Sequence, residues 1–95
     1  MRPEYELTLL LKKDESECPQ DDRIRTIFVI KNKENGGRKR LAYPIDDKDG
    51  KRHEYGHFVY YDLVKRDDTE NYFLTRLLDQ DPDVLRYLLV AIRKV

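Results

Sequence analysis

The chain has a single cysteine, a single serine and only four glycines in 95 residues, and its 19 lysines and arginines are matched by 19 aspartates and glutamates. Each shortage excludes something. One cysteine, Cys18, cannot form an intrachain disulfide, and in a polar loop beside Pro19 it has no base to activate it. Ser16 stands in no nucleophile elbow, which argues against a serine hydrolase. Gly36-Gly37 is too short to build a phosphate-binding loop. Zero net charge weighs against a generic polyanion binder and against an acidic nucleic-acid mimic. No run approaches the ~18 apolar residues of a membrane span, and "MRPEYELTLLLKKDE" is not a secretory leader. These absences predict a cytoplasmic protein with no membrane association.

What remains is one domain over residues 1–95, with 40% charged and 39% hydrophobic residues. The apolar residues fall in patterned runs, so a modest core with a charge-dense surface is expected. Charge is unevenly spread along the chain. Residues 33–66 carry nine cations against six acids, and residues 67–95 carry four against six.

Alternation at Tyr5, Leu7, Leu9 and Leu11 predicts a first strand over 5–12. Residues 13–22 read as a loop. In "RIRTIFVIKN", residues 23–32, Ile24, Thr26, Phe28 and Ile30 mark one strand face and Ile27 and Val29 the other. Asn35-Gly36-Gly37 predicts a tight hairpin turn into a third strand over 38–45, where Pro44 must end the strand or lie at an edge. Asp49-Gly50 marks a second turn, followed by a fourth strand over 53–64, rich in aromatic and β-branched residues.

The period then changes. Leu74, Leu77 and Leu78 fit a helix with Thr69 as its cap and Glu70 in its first turn, although "YFLTRLL" also reads as a fifth strand. Asp81-Pro82-Asp83 reads as a helix start, with Leu85, Leu88, Leu89 and Ile92 as its apolar stripe. The predicted fold is α+β: a four-stranded, mainly antiparallel β-sheet (a meander) followed by one or two C-terminal helices.

Three functional patterns compete. His53-Glu54-Tyr55-Gly56-His57 spells H-E-x-x-H and resembles the metalloprotease zinc motif over those five residues. That chemistry requires a helix, where residues i and i+4 lie ~6 Å apart. On a strand the same two histidines stand ~13 Å apart, and neither can share an ion ~2 Å from each ring. The turn before them and the Phe58–Tyr61 run after them favour the strand, so no enzyme, no metal and no cofactor is expected.

The second pattern is nucleic-acid binding through a basic, Tyr-rich hairpin. Arg38, Lys39, Arg40 and Arg52 supply cations, with Lys33 and Lys51 nearby, and Tyr55, Tyr60 and Tyr61 supply stacking rings beside Tyr43 and Phe58. The third pattern is the apolar C-terminal helix, whose circumference exceeds what one sheet covers. Tyr87, Val90, Arg86 and Arg93 would meet another protein or a second copy of the chain. The leading expectation is a small non-enzymatic protein–protein interaction module, an adaptor or inhibitor acting through its sheet and that helix. Single-stranded RNA binding through the hairpin is the alternative.

Overall fold

The computed structural model describes residues 3–12, 19–66 and 71–92. Cys18, Thr69, Glu70 and Arg93 lie outside them. The elements run β1 (Glu4–Leu11), α1 (Gln20–Arg25), β2 (Phe28–Asp46), β3 (Arg52–Lys65), α2 (Tyr72–Gln80) and β4 (Val84–Ile92). The sheet is antiparallel, with strand order β2-β3-β1-β4. This is a split β-α-β arrangement rather than a meander. Each helix carries the chain past a neighbouring strand, so β1 pairs with β3 and β4, and never with β2.

One face of the sheet is covered. Leu7, Leu9 and Leu11 of β1 pack with Val59, Tyr61 and Leu63 of β3, Ile24 of α1, Phe28 of β2, and Leu74 and Leu78 of α2. These alternate residues are the ones that period-two patterning assigns to a buried face. The helices therefore lie together on that side. The opposite face carries Glu6, Thr8 and Leu10 of β1 opposite Asp62, Tyr60 and Phe58 of β3.

The first and fourth predicted strands match β1 and β3 closely, and the segment at 72–80 is a helix. Three further expectations are corrected. Residues 20–25, divided in the sequence reading between a loop and a strand, form α1, with Asp21 and Asp22 in its first turn and Arg23 and Arg25 in its last. That charge order complements the helix dipole, and Ile24 and Ile27 reach the core from a helical turn as readily as from a strand.

The predicted reversal at Asn35-Gly36-Gly37 does not occur, because β2 runs straight through it. Gly37 has φ +79° and donates its backbone N–H to Asn35 Oδ1 at 3.0 Å, and the β2–β3 register shifts between Asn35 and Gly37. The turn chemistry is used for a β-bulge.

The predicted C-terminal helix is strand β4. Asp81 caps α2 and accepts the Asp83 N–H on Oδ1 at 2.9 Å, a local turn that leads into an extended chain. Tyr87 and Leu89 pack against the core while Arg86, Leu88 and Val90 face out. A segment apolar on both sides satisfies either period, and pairing with β1 decides for the strand.

Two buried carboxylates hold the corners. Asp81 Oδ2 accepts from Gln20 Nε2 at 2.8 Å and from Arg23 of α1. Asp47, at the β2–β3 turn, receives His53 Nε2 at 2.8 Å, Lys12 Nζ at 3.2 Å and the backbone N–H groups of Asp49 and Lys51. The His53 ring holds the Asp47 carboxyl well below the usual carboxylate range, assisted by Lys51 N–H, Lys12 and Asp49 N–H, with burial opposing them.

Asp81→Ala strands Gln20 and Arg23, and urea unfolding should show a loss of about 3 kcal/mol. The depressed Asp47 pKa contributes stability that is complete above the unfolded value of about 3.9 and is lost as the pH falls below it. Asp47→Asn should therefore melt lower than the wild type at pH 7, and the gap between them should narrow in thermal scans taken between pH 4 and pH 2.

Candidate nucleic-acid interface

The β2–β3 hairpin continues past the last residue of β1 that pairs with β3, and its turn reaches Lys12 and the Asp81 carbonyl. At ~3.3 Å per residue, the 14 residues of β3 are long enough to span the molecule's 42 Å axis. Residues 38–52, which form its outer half, carry six lysines and arginines against three aspartates in a chain of zero net charge.

β2 is an edge strand, and between Arg40 and Ile45 it has more residues than β3 provides partners for, since Arg40 pairs with Tyr55 and Ile45 with His53. The surplus bulges outward and leaves the Tyr43 ring 82% exposed. Pro44 lies in this bulge on the edge strand, where its missing N–H costs no ladder bond.

The register divides the candidate residues between two faces. Arg38 lies opposite His57 and Arg40 opposite Tyr55, on the same side of the hairpin as the helices. There the Arg38 guanidinium sits 4.3 Å from the centre of the Tyr55 ring, a cation–π contact. Lys39, opposite Gly56, projects to the open face, where its Nζ stands 5.7 Å from the Phe58 ring centre. Phe58 and Tyr60 stack there with centroids 6.3 Å apart and planes 12° apart.

Among the described residues no ion pair engages Arg38, Lys39 or Arg40. Arg52 rests 3.4 Å from Asp46 at the exposed turn.

Tyr61 is not part of this surface. It is 2% exposed, and its hydroxyl donates to Asp21 Oδ1 at 2.6 Å. Lys33 is likewise committed to Asp21 at 2.6 Å. Of the residues assigned to a protein partner, Tyr87 is turned inward and donates to Asp79 Oδ1 at 2.8 Å, and burial pushes its hydroxyl pKa up. Arg86 and Val90 are exposed on β4.

The two histidines occupy a strand, as the zinc chemistry forbids. His53 is held by Asp47, and His57 is buried opposite Leu11. Among the described residues no three His, Cys, Asp or Glu side chains are placed to hold a metal. No described helix is long and apolar enough to cross a membrane.

Gly36 has a part that composition and pattern do not reveal. A Cβ there would lie 2.5 Å from Tyr60 Cε2 and 3.2 Å from Phe58 Cβ, so the glycine lets β2 run directly against the aromatic pair. No local signal marks it, because the close contact is made with rings on another strand, β3.

No protein-family model matches the chain, and no curated protein does. Among solved structures, the 30S ribosomal protein S6 from Thermotoga maritima superposes with a TM-score of 0.69 at 16% identity, over 97% of this chain and 89% of that one. The likeness shows a shared fold. The adaptor or inhibitor reading is overturned on two grounds. The apolar C-terminal helix on which it relied is strand β4, and the fold is one shared with a 30S ribosomal protein.

Gly36→Ala should destabilise the protein by about 1–3 kcal/mol, the usual cost of overpacking, and shift the Tyr60 ring resonances. In a double-mutant cycle, adding Tyr60→Ala should relieve most of the strain. Additive losses in urea unfolding would mean that the ring and the glycine are uncoupled.

Proposed function

We propose that the chain is an RNA-binding protein of ribosomal type that grips a sugar–phosphate backbone with its β2–β3 hairpin. The observation that carries this reading is the Arg38–Tyr55 pair with Arg40 beside it, guanidinium groups held on the outer half of the hairpin without carboxylate partners among the described residues. Phosphate is the natural ligand for such groups, because planar guanidinium donors match its oxygens and a stacked Arg is already partly ordered. Lys39, Lys51 and Arg52 extend the positive field along the same arm. The name of the fold neighbour, a protein of the 30S ribosomal subunit, supports the same reading. In such a particle the partners are RNA and adjoining ribosomal proteins.

Local concentration of charge explains how a neutral chain can do this. Electrostatic attraction between exposed charges decays over a Debye length of about 8 Å at physiological salt. A phosphate at the arm therefore responds to the arm's cations and hardly at all to acids across the sheet.

Fluorescence anisotropy with a structured small-subunit ribosomal RNA fragment, titrated across salt concentrations, tests the proposal. Binding should weaken linearly in log–log form. The double variant Arg38→Ala/Arg40→Ala should bind more weakly and lower the slope by roughly 1 to 2, the equivalent of one or two phosphate contacts. An RNA that fails to bind at low salt, or a slope unchanged by the double variant, would overturn the assignment.

A further inference from the structure

We propose that the open face of the sheet holds a slot for one unpaired RNA base, formed by Phe58, Leu10 and Leu88 and flanked by Lys39 and Arg86. The proposal rests on the RNA-binding reading and adds a second, separate contact to it.

Cross-strand pairing brings these residues together. Leu10 lies between Phe58 on β3 and Arg86 on β4, and Thr8 lies between Tyr60 and Leu88. The buried residues of both helices belong to the core on the opposite face. A depression of about 140 Å³ opens here, lined by Thr8, Leu10, Phe58, Arg86, Tyr87 and Leu88. Its floor and walls are apolar, and Leu88 at the rim is 62% exposed.

The chemistry fits a base better than an aliphatic side chain. A flat ring entering the slot meets Phe58, whose ring orientation is set by its stack on Tyr60, and base–aromatic stacking tolerates any base. The entrance is cationic. Lys39 Nζ hovers over Phe58, and the Arg86 guanidinium, anchored to the Leu85 carbonyl at 2.8 Å, forms no carboxylate pair among the described residues. An apolar protein partner has no need of those charges, whereas the phosphates on either side of a flipped nucleotide do.

The charge pattern also limits the ligand's length. The next row across the sheet places Glu6 opposite both Asp62 and Val90, and Glu34 lies opposite Tyr60. A polyanion running across the whole face would meet this acidic band. The face therefore takes a bulged or looped-out nucleotide at its Lys39–Arg86 end, while the flanking helix rests on the hairpin.

The test compares two otherwise identical RNA hairpins, one fully paired and one carrying a single 2-aminopurine bulge. The wild type should bind the bulged RNA about tenfold more tightly, with quenching of the 2-aminopurine as it stacks. Phe58→Leu keeps an apolar residue in place but removes the ring, and Leu88→Gln makes the exposed rim polar. Each should abolish most of the preference and the quench while leaving binding to the paired RNA intact. Arg38→Ala/Arg40→Ala should weaken both RNAs alike. Equal wild-type binding to the two RNAs, or a preference that survives Phe58→Leu in a protein with unchanged circular dichroism, would overturn the slot while leaving the hairpin reading standing. Failure of both RNAs to bind would overturn the slot and the hairpin reading together.

Discussion

The carboxylate of Asp81 is the contact on which the arrangement of the other elements depends. Burying a charge costs several kcal/mol unless it is fully paired, and here the pairing draws on distant parts of the chain. Gln20 and Arg23 come from α1, and the Asp83 N–H comes from the turn into β4. Lys48, at the tip of the hairpin, approaches the Asp81 carbonyl at 3.4 Å. Seating α1 in this way also presents Asp21 to Tyr61 and Lys33, which binds the helix to the middle of the hairpin. One acid thus fixes how a six-residue helix, too short to be stable alone, sits on the sheet.

That fixation bears directly on the hairpin. An arm of two strands is marginal in isolation, yet this one is held at its root by core packing and at its turn by Asp47, which draws Lys12 from the end of β1 and His53 from β3 onto one carboxylate. The outer strands are therefore presented as a rigid platform. Rigidity matters for the cations because a guanidinium stacked on Tyr55 loses less freedom on meeting a phosphate than a free one does.

Much of this was legible in the sequence wherever one face of an element was polar. β1 alternates from Tyr5 to Leu9, β3 is rich in aromatic and β-branched residues, and Asp49-Gly50 sits at a real reversal, with Gly50 at φ +83°. Legibility failed where the local signal served a purpose set by distant partners. Asn35-Gly36-Gly37 has the chemistry of a turn, but the room needed by the Phe58 and Tyr60 rings turned it into a bulge. Asp81-Pro82-Asp83 looks like a helix start, yet Asp81 serves Gln20 and Arg23, 61 and 58 residues away. The candidate site was legible as a composition, cations with tyrosines. Its division into two faces was not, because that depends on a register shifted by the bulge. Nothing local distinguishes Tyr61, committed to Asp21, from Tyr60, which stacks on Phe58.

The same logic explains how a chain of zero net charge comes to carry a cationic arm. Acids and bases are equal in number, but folding does not use them equally. Glu4, Asp21, Asp47 and Asp81 are drawn into ion pairs with Lys31, Lys33, Lys12 and Arg23. These four pairs cancel within the body of the domain. Glu4 raises the Lys31 pKa, chiefly through their hydrogen bond. Of the charges left over, Glu6, Glu34 and Asp62 line the acidic part of the open face, and Arg38, Lys39 and Arg40 line the hairpin. Neutrality of the whole is thus compatible with separation of the parts, since screening lets each surface act over only about 8 Å. The functional charge of such a domain has to be counted after the fold has claimed its share.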